Sequence, residues 1–239
     1  MDGMQKNKVL ACGKHFPGHG DTDKDSHYSL PVINHDYERL DSLELYPFKI
    51  LIQQGLSSIM MAHLHIPELD SAENIASSLS EKITTGVLKD SLGFEGLIIS
   101  DALNMKGVSS FHKYGELEVK AFLAGNDILL FPGDVPKAVA GIKKAVKDSV
   151  ISEAELDNRV KKILLAKSWV GLENWDSISL ENLETDLCNP TAIQNRRELI
   201  AGGITISRNK DQLIPFHRPD TLKMASIFIG AKEKQPFQE

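Results

Sequence analysis

Hydrophobic and polar positions along this chain fall into two alternating kinds of segment. Short runs that are apolar on both faces occur at Val9–Cys12, Ser58–Ala62, Gly96–Ser100 and Asp127–Phe131, and each reads as a buried strand. Between them, Phe48–Ile52, Ile83–Leu92 and Leu117–Ala124 carry apolar residues at helical spacing and stop at Gly55, Gly93 and Gly125. Pro47 opens the first of these helices, and a glycine just past the end is the usual stop signal. Strands apolar on both faces that alternate with amphipathic helices predict an α/β protein with a parallel sheet covered by helices.

Two further helices follow, over Val135–Val146 and Ser152–Trp169. Ser152 is placed as an N-cap, with Glu155 three residues on to complete a capping box. Residues 173–190 are polar and less periodic and read as a linker after a first domain spanning 1–172. Residues 191–239 then read as the start of another unit, with a helix over Thr191–Ala201 and strands over Gly203–Ser207 and Met224–Gly230.

Polar groups cluster where strands end: Lys14 and His15 after the first, His63 after the second, Asp101 after the third and Pro132-Gly133-Asp134 after the fourth. In a (β/α)₈ barrel the active site is built on that face. Open doubly wound sheets also bind ligands beyond their strand carboxyl ends, so both architectures stay open on this pattern. No dinucleotide-type glycine fingerprint follows any strand, which favours the barrel. Asp127 instead opens its strand, on the face that stabilises such folds, and reads as structural.

Composition changes the picture little. The 239 residues are 41% hydrophobic and 25% charged, as in ordinary globular proteins. The net charge of −6 offers no broad basic surface for nucleic acid, and the pairs Lys143-Lys144 and Lys161-Lys162 read as solvated helix faces. No apolar run is long enough to span a membrane. The two cysteines, Cys12 and Cys188, fit no metal spacing, and Cys12 reads as a small buried residue of its strand. His63 and His65 lie near enough to His15 in pattern to raise a metal cluster, but no carboxylate or cysteine completes a ligand spacing. Structural or substrate-lining roles are the reading for them, and no metal or other cofactor is expected.

Lys14-His15-Phe16-Pro17-Gly18-His19-Gly20, followed by Asp25-Ser26-His27 and Leu30-Pro31, closely resembles the signature of glycoside hydrolase family 3, in its β-N-acetylhexosaminidase branch. The segment Gly93-Phe94-x-Gly96-Leu97-Ile98-Ile99-Ser100-Asp101-x-Leu103-x-Met105 resembles that family's nucleophile segment, and Ala124–Leu130 its last barrel strand. The resemblance implies the C-terminal half of a TIM (β/α)₈ barrel, strands five to eight, followed by the truncated start of an α/β sandwich domain. On this reading Met1 is not the native start, and the compartment stays open between bacterial cytoplasm and periplasm. A half barrel leaves two sheet edges unpaired, which favours self-association.

The same resemblance implies Asp101 as the nucleophile of a retaining glycosidase acting on terminal β-linked N-acetylglucosamine of peptidoglycan- or chitin-derived sugars. It places His27 as acid/base, with Asp25 orienting and charge-stabilising the imidazole, and Lys14 and His15 as donors to sugar hydroxyls. A lone aspartate at a strand end ordinarily caps its loop, and a lone loop histidine is ordinarily a surface residue; the surrounding motifs tip both towards chemistry. His19 reads as a loop-shaping residue bonded to backbone. Further sugar contacts of the family, an Asp and an Arg on the earlier half of the barrel, have no counterpart in this sequence. Two alternatives remain: a family-3 phosphorylase that uses phosphate as acceptor, and a half-barrel fragment without turnover.

Overall fold

The computed structural model describes residues 1–22, 29–210, 214–216, 221 and 223. The chain divides into two compact units, Met1–Asp176 and Ser177–Glu239. The predicted strand over Met224–Gly230 lies outside the described residues.

The first unit is built on a parallel three-stranded sheet in the order β1 (Cys12–Phe16), β2 (Ser58–Met61), β3 (Leu97–Ile99). Helix α1 (Tyr46–Gln53) links β1 to β2, and α2 (Lys82–Ser91) links β2 to β3. Both stop just ahead of the glycines the pattern marked, and α2 is wound wide, with the Leu92 amide reaching the Val87 carbonyl five residues back at 3.0 Å. Phe16, Ile59, Met61 and Ile98 of the sheet pack with Leu45, Phe48, Ile83 and Leu88 of the helical layer in one buried cluster. Burying each of these side chains stabilises the unit by roughly 2 kcal/mol relative to leaving it in water. A second cluster, including Leu103, Val108, Leu117 and Ala121, fixes α3 (Glu116–Ala124) beneath the segment that leaves β3. Helices α4 (Val135–Lys147) and α5 (Glu153–Trp169) follow.

Several expectations are corrected. The first strand is Cys12–Phe16 and not Val9–Cys12, so Lys14 and His15 lie within it and not beyond its end. Val9 is 49% exposed and only Ala11 of the expected run is buried. Cys12 is exposed as well, because β1 pairs only with β2 among the described residues and one edge and part of a face stay uncovered. The expected fourth strand is reduced to a single parallel bridge between Ile99 and Ile128. There, side chains take the place of ladder partners: Ile98 N–H donates to Asp127 Oδ2 at 2.8 Å, and Leu130 N–H donates to Ser100 Oγ at 3.0 Å. Asp127 is structural, as its position suggested, and Lys162 is no solvated lysine, since its ammonium sits 2.7 Å from Asp127 Oδ2.

Ser152 caps α5 by accepting the Glu155 N–H at 3.1 Å. The reciprocal half of the box is missing because the Glu155 carboxylate turns to Arg159 instead. Arg159 is buried, stacks on the Phe122 ring and donates to the Phe122 and Asn126 carbonyls, which fastens α5 to the end of α3.

In the second unit the helix α6 spans Pro190–Gly203, capped by Asn189, whose Oδ1 accepts the Ala192 N–H at 2.9 Å. The strand expected from Gly203 is absent: Ile204 and Ile206 are exposed and unladdered. A short helix over Leu183–Leu187 lies in the stretch read as a linker. No helix among the described residues is long and apolar enough to cross a membrane.

Candidate active site

Because the three strands run parallel, their carboxyl ends share one edge of the sheet, and whatever follows them meets there. The Asp101 N–H donates to the Met61 carbonyl at 3.1 Å, which draws the exit of β3 against the exit of β2. The Asp101 carboxylate is thereby held towards β1. Its Oδ1 accepts the N–H of Ala102 at 2.8 Å, and its Oδ2 lies 3.9 Å from His15 Nε2. That separation is too long for a direct hydrogen bond but short enough for electrostatic coupling. Both side chains keep access to solvent, at 16% for Asp101 and 30% for His15. Lys14, on the preceding position of the strand, is exposed.

Behind the carboxylate lies His63, fully buried at the exit of β2. Its Nε2 is 3.1 Å from the Ala102 carbonyl and its Nδ1 is 2.7 Å from Ser78 Oγ. A carbonyl only accepts, so the network assigns the proton to Nε2 and leaves Nδ1 to accept from the serine hydroxyl. Burial pushes the imidazole pKa down; the bond to the Ala102 carbonyl and the Asp101 charge pull it up, and His15 pushes it down again. The net direction is down, and the ring is neutral at pH 7. His65 bonds through Nδ1 to the Ile75 carbonyl at 3.2 Å. Both histidines are thus bonded within the fold, and among the described residues no group of three His, Cys, Asp or Glu side chains is placed to hold a metal.

On the β1 side, residues 13–21 and the helical segment 39–51 enclose an open cavity of about 560 Å³. Its polar wall includes Lys14, His15, His19, Asp21, Arg39 and Glu44. Gly18 makes the turn after the strand at φ +139°, where a Cβ would also stand 2.7 Å from that of Glu44. The loop is tied down beyond it: Asp21 Oδ2 pairs with His35 Nε2 at 2.7 Å, and Arg39 Nη1 donates to Glu44 Oε1 at 2.6 Å. His19 sets its ring edge-on to His15, with centroids 6.2 Å apart.

Of the residues singled out in the sequence, the structure brings His15 and Asp101 together, and Lys14 lines the neighbouring cavity beside His15. Asp25 and His27 lie outside the described residues. Ser78 and the Arg39–Glu44 pair were not anticipated. Ser78 sits in the run Ser77-Ser78-Leu79-Ser80, where nothing distinguishes one serine from the next until the fold sets it beside His63.

Comparison with known proteins places this geometry in context. The profile described as the glycosyl hydrolase family 3 N-terminal domain matches residues 1–166. The chain is 29% identical to beta-hexosaminidase A of Pseudoalteromonas piscicida over 245 aligned positions, covering 95% of this chain and 40% of that protein. It is 39% identical to a beta-hexosaminidase of Nitrosospira multiformis over 130 positions, covering 54% of this chain and 36% of that one. Among solved structures, a family 3 beta-N-acetylglucosaminidase from a Paenibacillus species superposes with a TM-score of 0.71 at 36% identity, over 75% of this chain and 34% of the other. The chain therefore spans about two-fifths of the length of the curated relatives it matches.

Proposed function

This chain belongs to glycosyl hydrolase family 3, and on that premise we propose that it carries catalytic groups of a retaining glycosidase releasing terminal β-linked N-acetylglucosamine from peptidoglycan- or chitin-derived sugars. One observation carries the reading. A carboxylate that keeps some access to solvent stands at the carboxyl edge of a parallel sheet, one oxygen held by backbone and the other turned towards a histidine of the neighbouring signature. The names of the relatives supply the sugar class.

In this reading Asp101 attacks the anomeric carbon while the bond to the leaving oxygen breaks, and protonated His27 gives its proton to that oxygen. Neutral His27 then takes a proton from water as the water oxygen attacks the same carbon, releasing the sugar and restoring the Asp101 carboxylate. Asp25 keeps the imidazole oriented and favours its charged form. Lys14 and His15 donate to sugar hydroxyls, and no metal or cofactor takes part. The three strands together with the bridged run Asp127–Phe131 belong to a (β/α)₈ barrel as strands five to eight, with residues 173–190 as linker and 191–239 as the start of a following α/β domain.

The test is release of a chromophore from an aryl N-acetyl-β-glucosaminide by the wild-type chain and by Asp101→Asn, in buffers with and without phosphate. Release that the substitution removes supports the reading. Release undiminished in Asp101→Asn, or none from the wild-type chain, overturns it for this polypeptide. A rate that requires phosphate assigns the phosphorylase reaction instead.

A further inference from the structure

We propose that His63 is the positioning residue of Asp101: held as the neutral Nε2–H tautomer by Ser78, it clamps Ala102 so that the Ala102 N–H occupies Asp101 Oδ1 and leaves Oδ2 as the attacking oxygen. The inference rests on Asp101 being the nucleophile. Ala102 is the pivot. Its N–H donates to Asp101 Oδ1 at 2.8 Å, while its carbonyl accepts both His63 Nε2–H at 3.1 Å and the Met105 N–H at 3.0 Å. Rotating either peptide plane of this residue would break one of these bonds, so its direction is over-determined. The other carboxylate oxygen is the one that faces His15 across 3.9 Å.

The clamp is itself anchored from behind. Ser78 donates its own N–H to the Ala62 carbonyl at 3.2 Å, and its carbonyl accepts from Asn126 Nδ2 at 2.8 Å. Both Ser78 and Asn126 are fully buried. The hydroxyl is thus presented at a fixed point, and with Nδ1 as its acceptor the imidazole has only Nε2 left to donate. A protonated imidazole would instead point Nδ1–H at the serine hydroxyl, which would have to turn and accept, and would put a cation behind the nucleophile. The buried, neutral ring supplies direction without charge.

The full chain, labelled with ¹⁵N-alanine, tests this by NMR. The Ala102 amide signal, identified by its loss in Ala102→Ser, moves when Asp101→Asn removes the charge that its N–H faces. His63→Gln keeps a donor near the Nε2 position and retains the movement; His63→Leu loses most of it, while the Ala145 signal on α4 stays in place as a fold control. Ser78→Ala, a second variant that removes no ring, gives mixed imidazole tautomers in ¹⁵N-histidine spectra where the wild type shows Nε2–H alone. Unchanged Ala102 movement in His63→Leu, or an Nδ1–H tautomer in the wild type, overturns the proposal. Mass-spectrometric labelling of Asp101 by an activated fluoro-glycoside reads the nucleophile separately: on the order of 10- to 100-fold slower in His63→Leu and largely restored in His63→Gln. Failure of the wild type to label removes the nucleophile role, and equal labelling in all variants removes the clamp.

Discussion

His15 Nε2 of β1 and Asp101 Oδ2, just past β3, face each other across 3.9 Å with solvent access to both. A gap of that size suits two groups that approach the same ligand better than two groups that satisfy one another. Without the imidazole, Asp101 Oδ1 keeps its bond from the Ala102 N–H. For His15→Ala we expect weaker binding of N-acetylglucosamine by about 10-fold, equivalent to about 1.4 kcal/mol. Thermal unfolding should move little. Calorimetric titration beside a melting curve checks both, and a large loss of stability with unchanged binding would make His15 a structural residue.

Asp127 Oδ2 accepts from Ile98 N–H and from Lys162 at once, in a carboxylate whose side chain is only 3% exposed. Asp127→Ala strands a buried backbone donor and a partly buried ammonium, at a cost of about 3 kcal/mol. Lys162 is itself 29% exposed, so Lys162→Met leaves the carboxylate its backbone partner and costs about 1 kcal/mol. Urea titrations of both single variants and the double variant measure the coupling; equal losses from the two singles would contradict this ordering.

Element type was legible wherever periodicity was strong and packing agreed with it. The helices ending before Gly55, Gly93 and Gly125 and the strands at Ser58 and Gly96 stand close to where their patterns put them. The misplacements share one cause, which is that burial depends on neighbours a sequence does not show. Val9 and Cys12 look like core residues, yet β1 has no described strand on its outer side to cover them. The Asp127–Phe131 run looks like a strand, yet the Asp127 and Ser100 side chains replace the ladder bonds on either side of its one bridge. At the site, Asp101 and His15 stood out because unusual polar groups follow apolar runs. Ser78 did not, since its role comes from a buried contact with a ring distant in sequence.

Gly141, inside α4, passes so close to the start of α3 that a Cβ would lie 2.3 Å from the Gly115 carbonyl oxygen. The obstruction is backbone, so the helices must separate to admit a methyl group. Gly141→Ala gains about 1 kcal/mol of helix propensity and loses more to overpacking, for a net loss of about 1–2 kcal/mol. Gly202, in α6, meets nothing within 4 Å. There the same substitution should be neutral or stabilise by about 0.5 kcal/mol. Opposite signs for the two variants in urea unfolding would establish the contact; a stabilising Gly141→Ala would refute it.

Stability should fall with acid in two separate steps. His63 has its pKa lowered from 6.5, mainly by burial, so the native state holds fewer protons than the unfolded chain once the pH drops below that value. Its stabilising contribution is therefore complete above about pH 6.5 and is lost as pH falls towards the native pKa. His112 shifts in the same direction through burial and the nearby Lys120, opposed by Glu116, and adds to the same step. Asp70 follows lower down. Burial alone would raise its pKa, but hydrogen bonds from Ser80, Lys82 and the Ala72 N–H outweigh it and hold the carboxyl below 3.8. Its contribution persists until the pH falls through 3.8. Urea midpoints measured from pH 8 to pH 3 should thus decline first near neutrality and again in strong acid. His63→Gln removes most of the first step and leaves the second, whereas Asp70→Asn does the reverse. A first step that survives in His63→Gln and disappears in His112→Gln would place the buried proton uptake at His112 instead.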